Sequence, residues 1–326
     1  MPGPDSFLVL IPVFNDWAAL AQLLPQLDDA LHRHALRADV LIVDDGSTEP
    51  LPSDFPQGPF QALGRIDLLP LRRNLGHQRA ITVGLAYVHD QLAPPAVIVM
   101  DADGEDDPRD VPRLLQRCGQ ERGEPLIFAE RTKRSERWAF RLGYGFYKVG
   151  HYLLTGYRVR VGNFSVVPRP QLARLVTIAE MWNHYAAAVI KARLPFVTVP
   201  TRRARRLHGP SKMNFVQLAL HGLSALAVYG DLIVIRLLLV ILLLSFLTGL
   251  TGAGLLGLWL LTDRAVPGWT MIALGAAEAV LLQGAFFLFL VSVLVLGNRQ
   301  SAMFLPLRDY VSFTGPVQTV WPSSGL

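Results

Sequence analysis

From Leu237 to Leu261 the chain runs 25 residues without a charge, and from Trp269 to Leu296 it does so again with Glu278 as the only charged side chain. An apolar stretch of ~20 residues is long enough to cross a bilayer as a helix. Only a helix or a closed barrel satisfies the backbone there. Asp263-Arg264 and Pro267-Gly268 form a short turn between the two runs, with Trp259 and Trp269 beside it as interface aromatics. Arg236 precedes the first run and Arg299 follows the second, whereas Asp263 offsets the one arginine of the turn. The positive-inside rule then places both termini in the cytoplasm. Met1-Pro-Gly-Pro-Asp-Ser lacks the basic start of a signal peptide, so the first domain is expected there too, at the plasma (inner) membrane. Glu278 is costly inside a bilayer. It is read as a subunit contact or a water-facing group, and a homo-oligomer through the transmembrane helices follows.

The first half is of another kind. Phe7 to Val13, Val40 to Val43, Ile66 to Leu71, Val97 to Met100 and Leu126 to Ala129 are short apolar runs, as buried strands are. Helical patterns stand between them: after Asn15 and Asp16, either of which is a candidate cap, then over Asn74 to Val88 and Pro108 to Cys118. This alternation predicts an α/β fold, a mostly parallel sheet with helices on both faces. The expected organisation is a cytoplasmic domain over 1–200, a loop and juxtamembrane amphipathic helices over 201–235, the two transmembrane helices over 236–298, and an irregular tail over 299–326. The single cysteine, Cys118, excludes an internal disulfide and a cysteine-based zinc cluster. Arginines crowd positions 202 to 206 ahead of the apolar runs. That points to anionic membrane lipids rather than nucleic acid.

Ligand sites of such sheets lie beyond the carboxyl ends of the strands, and the acidic residues fall there. Asp101-Ala102-Asp103 follows one buried strand. Two carboxylates at this spacing can share Mg²⁺ or Mn²⁺ together with substrate phosphates, or form a solvated acidic loop. Asp44-Asp45-Gly46-Ser47 ends another. Its carboxylates can accept from a base N–H and ribose hydroxyls, or simply build a turn.

Pro12-Val13-Phe14-Asn15-Asp16, Val43-Asp44-Asp45-Gly46-Ser47, Asn74-Leu75-Gly76 and Met100-Asp101-Ala102-Asp103-Gly104-Glu105 together resemble the motif series of family 2 glycosyltransferases. Arg202 to Lys212 resembles the dolichol-phosphate mannose synthase branch, and the two-span tail resembles bacterial polyprenyl-phosphate glycosyltransferases. The resemblance implies a GT-A fold and inverting transfer from a UDP- or GDP-sugar to a polyprenyl (undecaprenyl or dolichyl) phosphate. By motif position it implies nucleotide contacts at Pro12, Phe14, Asp16, Val43, Asp44, Asp45, Asp101 and Ala102. It implies a metal at Asp101, Asp103 and Glu105, with Asp103 essential to catalysis. Arg131, Arg141, Arg206, Ser211 and Lys212 are implied for the sugar phosphates and the acceptor phosphate, a role that suits the planar fork of arginine.

Asn163 departs from the pattern, standing where relatives often carry an Asp treated as a base. A hydroxyl acceptor needs a base. A phosphate monoester, with a second pKa of about 6, is already ionised. The sequence therefore favours a lipid phosphate as acceptor. The alternatives are another lipid or lipid-linked saccharide, or a non-catalytic scaffold that binds nucleotide sugars. Met181 to Tyr185 is open between a sugar pocket and core packing, and Glu180 with His184 is a weak metal pair. His77 and His208 are read as loop residues without a role.

Overall fold

Side chains alternate across a strand, and that alternation sorts the first half of the chain into two cores. In β1 (Phe7–Val13), Leu8 and Leu10 point to one face and Val9, Ile11 and Val13 to the other. Both faces are buried, which is why the strand reads as one continuous apolar run. On the first face lie α2 (His77–Gln91), α4 (Arg169–Leu175) and α5 (Tyr185–Lys191); on the second lie α1 (Trp17–His32) and α3 (Val111–Gln120). The computed structural model describes residues 6–131, 150, 152–157, 161–209, 215–262, 267–297 and 304–321.

The other strands are β2 (Ala38–Asp44), β3 (Leu63–Pro70), β4 (Ala96–Val99), β5 (Leu126–Arg131), β6 (Ser165–Pro168), β7 (Phe196–Thr201) and β8 (Gln318–Trp321). They form one sheet in the order β7-β5-β6-β4-β1-β2-β3-β8. β4, β1, β2 and β3 run parallel, β6 is antiparallel to both its neighbours, and β8 is antiparallel to β3. This is the mostly parallel sheet that was expected. The chain leaves β1 toward β2 and β3, then returns to the other side of β1 for β4. The carboxyl ends of β1, β2 and β4 thus border a topological switch point, where open α/β sheets bind ligands.

The tail corrects the expectation of an irregular segment. It forms α9 (Pro306–Asp309), a 3₁₀ turn (Tyr310–Phe313) and β8. Its register on β3 pairs Ile66 with Trp321 and Asp67 with Thr319. The pairing partner lies some 250 residues away along the chain, so no local pattern announces it.

The chain divides into two units, one of Met1–Arg141, Val159–Val228 and Phe304–Leu326, the other of Leu142–Arg158 and Tyr229–Met303. The first holds the sheet and α6 (Phe215–Ala227). The second holds α7 (Gly230–Leu261) and α8 (Gly268–Gly297), both long and apolar enough to cross a membrane. α7 starts before the expected boundary at 235, and its 32 residues would span ~48 Å at the helical rise. Glu278 on α8 accepts a hydrogen bond from Ser245 on α7 at one of its oxygens. Arg236, read from sequence only as a flanking charge, donates to the carbonyl oxygens of Leu154 (2.9 Å) and Leu153 (3.4 Å).

Candidate active site

The acidic loops sit at the switch point, where most of their carboxylates are paired. Asp16 is the residue before α1, yet its side chain makes no cap. Both its oxygens instead accept from Nη2 of Arg206, at 2.9 and 2.8 Å. Nη1 of the same guanidinium donates to Oδ2 of Asp103 at 2.9 Å. Arg206 therefore bridges the loop after β1 and the loop after β4. Its segment is held by backbone bonds as well, Ala204 N to Glu105 O (3.0 Å) and Leu207 N to Asp103 O (2.9 Å). Leu207 packs directly on Gly104, which has φ +79°, so a side chain at Gly104 would be strained and would collide with it. Arg203 pairs with Glu105.

Asp45 is buried, and both its oxygens are taken by backbone amides of the 72–76 loop, Leu75 N at 2.7 Å and Gly76 N at 2.9 Å. Burial raises its pKa, against the pull of those two amides. Oδ1 of Asp44 accepts from Ser47 N at 2.9 Å. Pro12, Val43 and Ala102 are buried in the strand ends, and Phe14 is exposed at the rim. Asn15 holds the β2 loop by accepting from Thr48 N (2.8 Å) and Glu49 N (3.0 Å).

Asp101 faces His77, whose Nε2 lies 3.2 Å from Oδ1. Asn163 Nδ2 lies 2.8 Å from the same ring nitrogen, while Asn163 Oδ1 accepts from Gln78 Nε2 at 3.1 Å. Asn163 and Asp101 thus converge on one ring nitrogen, and Asp101 Oδ1 is left buried without a hydrogen bond of its own. Burial lowers the pKa of His77, but 42% of the side chain is exposed, and the carboxylates of Asp101, Asp106 and Asp103 hold it above its usual value. Burial raises the pKa of Asp101 and His77 outweighs it, leaving it low; burial and the charge of Asp101 raise that of Asp103. Asp106 lies beneath, accepting from Asp101 N (3.1 Å) and Arg131 Nη2 (3.0 Å). Burial and the neighbouring Asp101 push its pKa up to about 7.

The donor set fits a hard divalent ion. It offers carboxylate oxygens on one loop, of which Asp101 Oδ1 has no donor of its own, and such ions need only one or two carboxylates beside substrate phosphates. Asp101 and Asp103 would hold it. Glu105 is turned to Arg203, and among the described residues no three His, Cys, Asp or Glu side chains converge on one point.

Of the arginines expected from sequence, Arg131 and Arg206 are at the site, each on a carboxylate. Arg141, Ser211 and Lys212 lie outside the described residues. His77, Asp106 and Arg203 belong to the site but were not foreseen. For His77 the usable signal was its place directly after Asn74-Leu75-Gly76, opening a helix at the strand ends. The Glu180–Tyr185 segment resolves as packing. Glu180 pairs with Lys191 (3.1 Å), His184 accepts from Ala187 N with its Nδ1 (3.3 Å), and the buried Tyr185 hydroxyl bonds Ser165 Oγ (2.8 Å).

Residues 8–169 match the family described as Glycosyl transferase family 2. An undecaprenyl-phosphate 4-deoxy-4-formamido-L-arabinose transferase of Edwardsiella ictaluri is 26% identical over 228 residues, 64% of this chain and 63% of that protein. The transferase of the same name from Erwinia tasmaniensis is 31% identical over 39% of this chain and 38% of its own length. The chain thus spans less than two thirds of the length of these curated relatives. Among solved structures, glucosyl-3-phosphoglycerate synthase of Mycobacterium tuberculosis, in complex with Mn²⁺ and UDP-glucose, superposes with a TM-score of 0.47 at 15% identity, over 70% of this chain and 79% of that one. The 8–169 domain, with acidic loops at the ends of β1, β2 and β4, is a glycosyl transferase family 2 domain.

Proposed function

We propose that the chain transfers a sugar from a nucleotide donor to a polyprenyl phosphate. The observation that carries this reading is the pairing of Asp16, Asp103, Glu105 and Asp106 with Arg206, Arg203 and Arg131 at the switch point. Such a site has acids for a cation and arginines for anions, and the two sets can be redistributed once a diphosphate enters. Mg²⁺ or Mn²⁺ on Asp101 and Asp103 would supply positive charge to a departing diphosphate. Arg206, released from Asp16 and Asp103, would offer its fork to a phosphate. The loops at Asp16, Asp44 and Asp45 would border the nucleotide. Asn163 cannot take a proton, and its amide holds His77. A lipid phosphate needs no base, because it is already ionised at neutral pH. The names of the relatives support the same acceptor.

The tail supports the arrangement in the membrane. β8 follows both apolar helices and yet pairs with β3, which precedes them. Paired strands share one side of a bilayer, so this pairing supports an even number of crossings between them. We place that side in the cytoplasm by the flanking arginines.

The test is to incubate membranes holding the protein with labelled UDP- and GDP-sugars and undecaprenyl phosphate, with and without EDTA. A lipid product that releases its sugar in mild acid, made only with divalent ion present, is expected. A product that survives mild acid as an ordinary glycoside refutes the phosphate acceptor, and full activity in EDTA refutes the metal.

A further inference from the structure

Between β3 and α2 the chain passes the site as the 71–76 loop, and this loop is held from two sides. On the inner side Asp45 takes the amides of Leu75 and Gly76. Gly46, at φ +69°, lets the backbone of Arg73 and Asn74 approach so closely that a Cβ there would lie 2.6 Å from Asn74 N. The loop then delivers His77 to Asp101. On the outer side stands the C-terminal segment. Phe313 O accepts from Arg72 N (2.9 Å), Thr314 O accepts from Arg72 Nε (3.0 Å), and Gly315 N donates to Pro70 O (2.8 Å). Leu71 and Thr314 form an isolated antiparallel bridge.

The side chains repeat this grip. The ring of Phe313 lies 5.2 Å from that of Trp182 and beneath the guanidinium of Arg73 at 5.9 Å. Trp182 in turn carries Arg79, in the first turn of α2, at 4.9 Å. A single aromatic ring of the tail thus touches both the loop and the residue that packs on the start of α2. Cation–π and aromatic pairs of this kind fix direction as well as distance.

We infer that Phe313 is a positioning residue: through Arg73 and Trp182 it holds the 71–77 segment so that Asp45 and His77 stand at the site. The segment following the last apolar helix is then part of the transferase domain in function as well as in fold. Only the nucleotide arm of the following test rests on the proposed function.

The experiment compares the full-length protein with Phe313→Ala, with Phe313→Tyr as the conservative variant, and with Trp321→Ala. Trp321 belongs to the same tail but packs on Phe60 (5.2 Å) and covers Gly58, away from the loop. Two quantities are measured: hydrogen exchange of the 71–77 amides, and dissociation constants for UDP and GDP. In Phe313→Ala, exchange over 71–77 should quicken about ten-fold and the constant for the nucleotide bound should rise about five-fold. Phe313→Tyr and Trp321→Ala should stay near the wild type in both. If the alanine variant does not accumulate, Phe313→Leu, which keeps most of the volume, should shift both quantities the same way by less. Exchange over 71–77 that is unchanged in Phe313→Ala, or quickened equally in Trp321→Ala, overturns the positioning role. A wild type that binds neither UDP nor GDP while the exchange difference holds supports the positioning role and refutes the nucleotide reading.

Discussion

Arg206 makes the free site self-neutralised, and removing it should have two opposite effects. The guanidinium is 15% exposed and gives three hydrogen bonds of 2.8 to 2.9 Å to carboxylates that are themselves about 20% exposed. Hydrogen bonds to charged groups are worth roughly 1.5–3 kcal/mol each. Stripping one partner from a buried ion pair costs about 3–5 kcal/mol. Water reaches these carboxylates, so the cost falls below that range, to about 2–3 kcal/mol for Arg206→Ala. For a folded body of this size that is a fall of roughly 4–12 °C in melting temperature. A divalent ion arriving at Asp103 must displace the same guanidinium. The displacement is free of charge in the variant, so the affinity of the free protein for Mn²⁺ should rise, about ten-fold for each 1.4 kcal/mol released. Turnover should fall, since the fork offered to phosphate is gone. Arg206→Lys should lie between, because an ammonium is a point charge and cannot span two carboxylates as a fork does. The assay is calorimetric Mn²⁺ titration of the purified protein without nucleotide, with thermal melts in EDTA. If Arg206→Ala melts like the wild type and binds Mn²⁺ no better, the bridge from Asp16 to Asp103 does not exist in solution and the reasoning fails.

Three further outcomes follow from the same geometry. Asp103→Asn should lower turnover by at least a hundred-fold, about 2.7 kcal/mol of barrier, while the protein stays folded in the membrane fraction; near-normal turnover in a sugar-transfer assay would remove Asp103 from the site. Asp106 holds its proton up to about pH 7, so the folded state binds more protons than the unfolded one between the usual carboxylate range and that value. Stability measured by denaturant titration without divalent ions should therefore fall as pH rises through this window, and Asp106→Asn should flatten that part of the profile; an identical slope in the variant contradicts the assignment. Asp28 accepts the backbone amides of Gln61, Ala62 and Leu63 from within α1, so Asp28→Ala strands buried donors at roughly 1–3 kcal/mol each. The variant should melt several degrees lower with the donor KM unchanged, and a changed KM at constant stability would show that the 61–63 turn serves the site.

The strands and their faces were legible in the sequence because each rests on a local period. Leu8 and Leu10 against Val9, Ile11 and Val13 fix two cores wherever the strand is placed. The acidic loops were legible for the same reason: Asp44, Asp101 and Asp103 follow directly on apolar runs, and a parallel sheet aligns all such ends. The two apolar helices follow from composition alone. What the acids and bases do to one another was not legible. Arg206 reaches Asp16 from 190 residues away, and Asn163 reaches His77 from 86. Neither pairing leaves a trace in spacing, because both depend on how loops of separate strands converge. The tail is the clearest case. Its few apolar residues and its prolines read as irregular, and it becomes a strand only because β3 offers an unpaired edge. Local patterns set which segments are strands and helices, since those depend on neighbours along the chain. The partner of each charge, and the fold of 306–321, depend on neighbours in space, and only the assembled sheet supplies them.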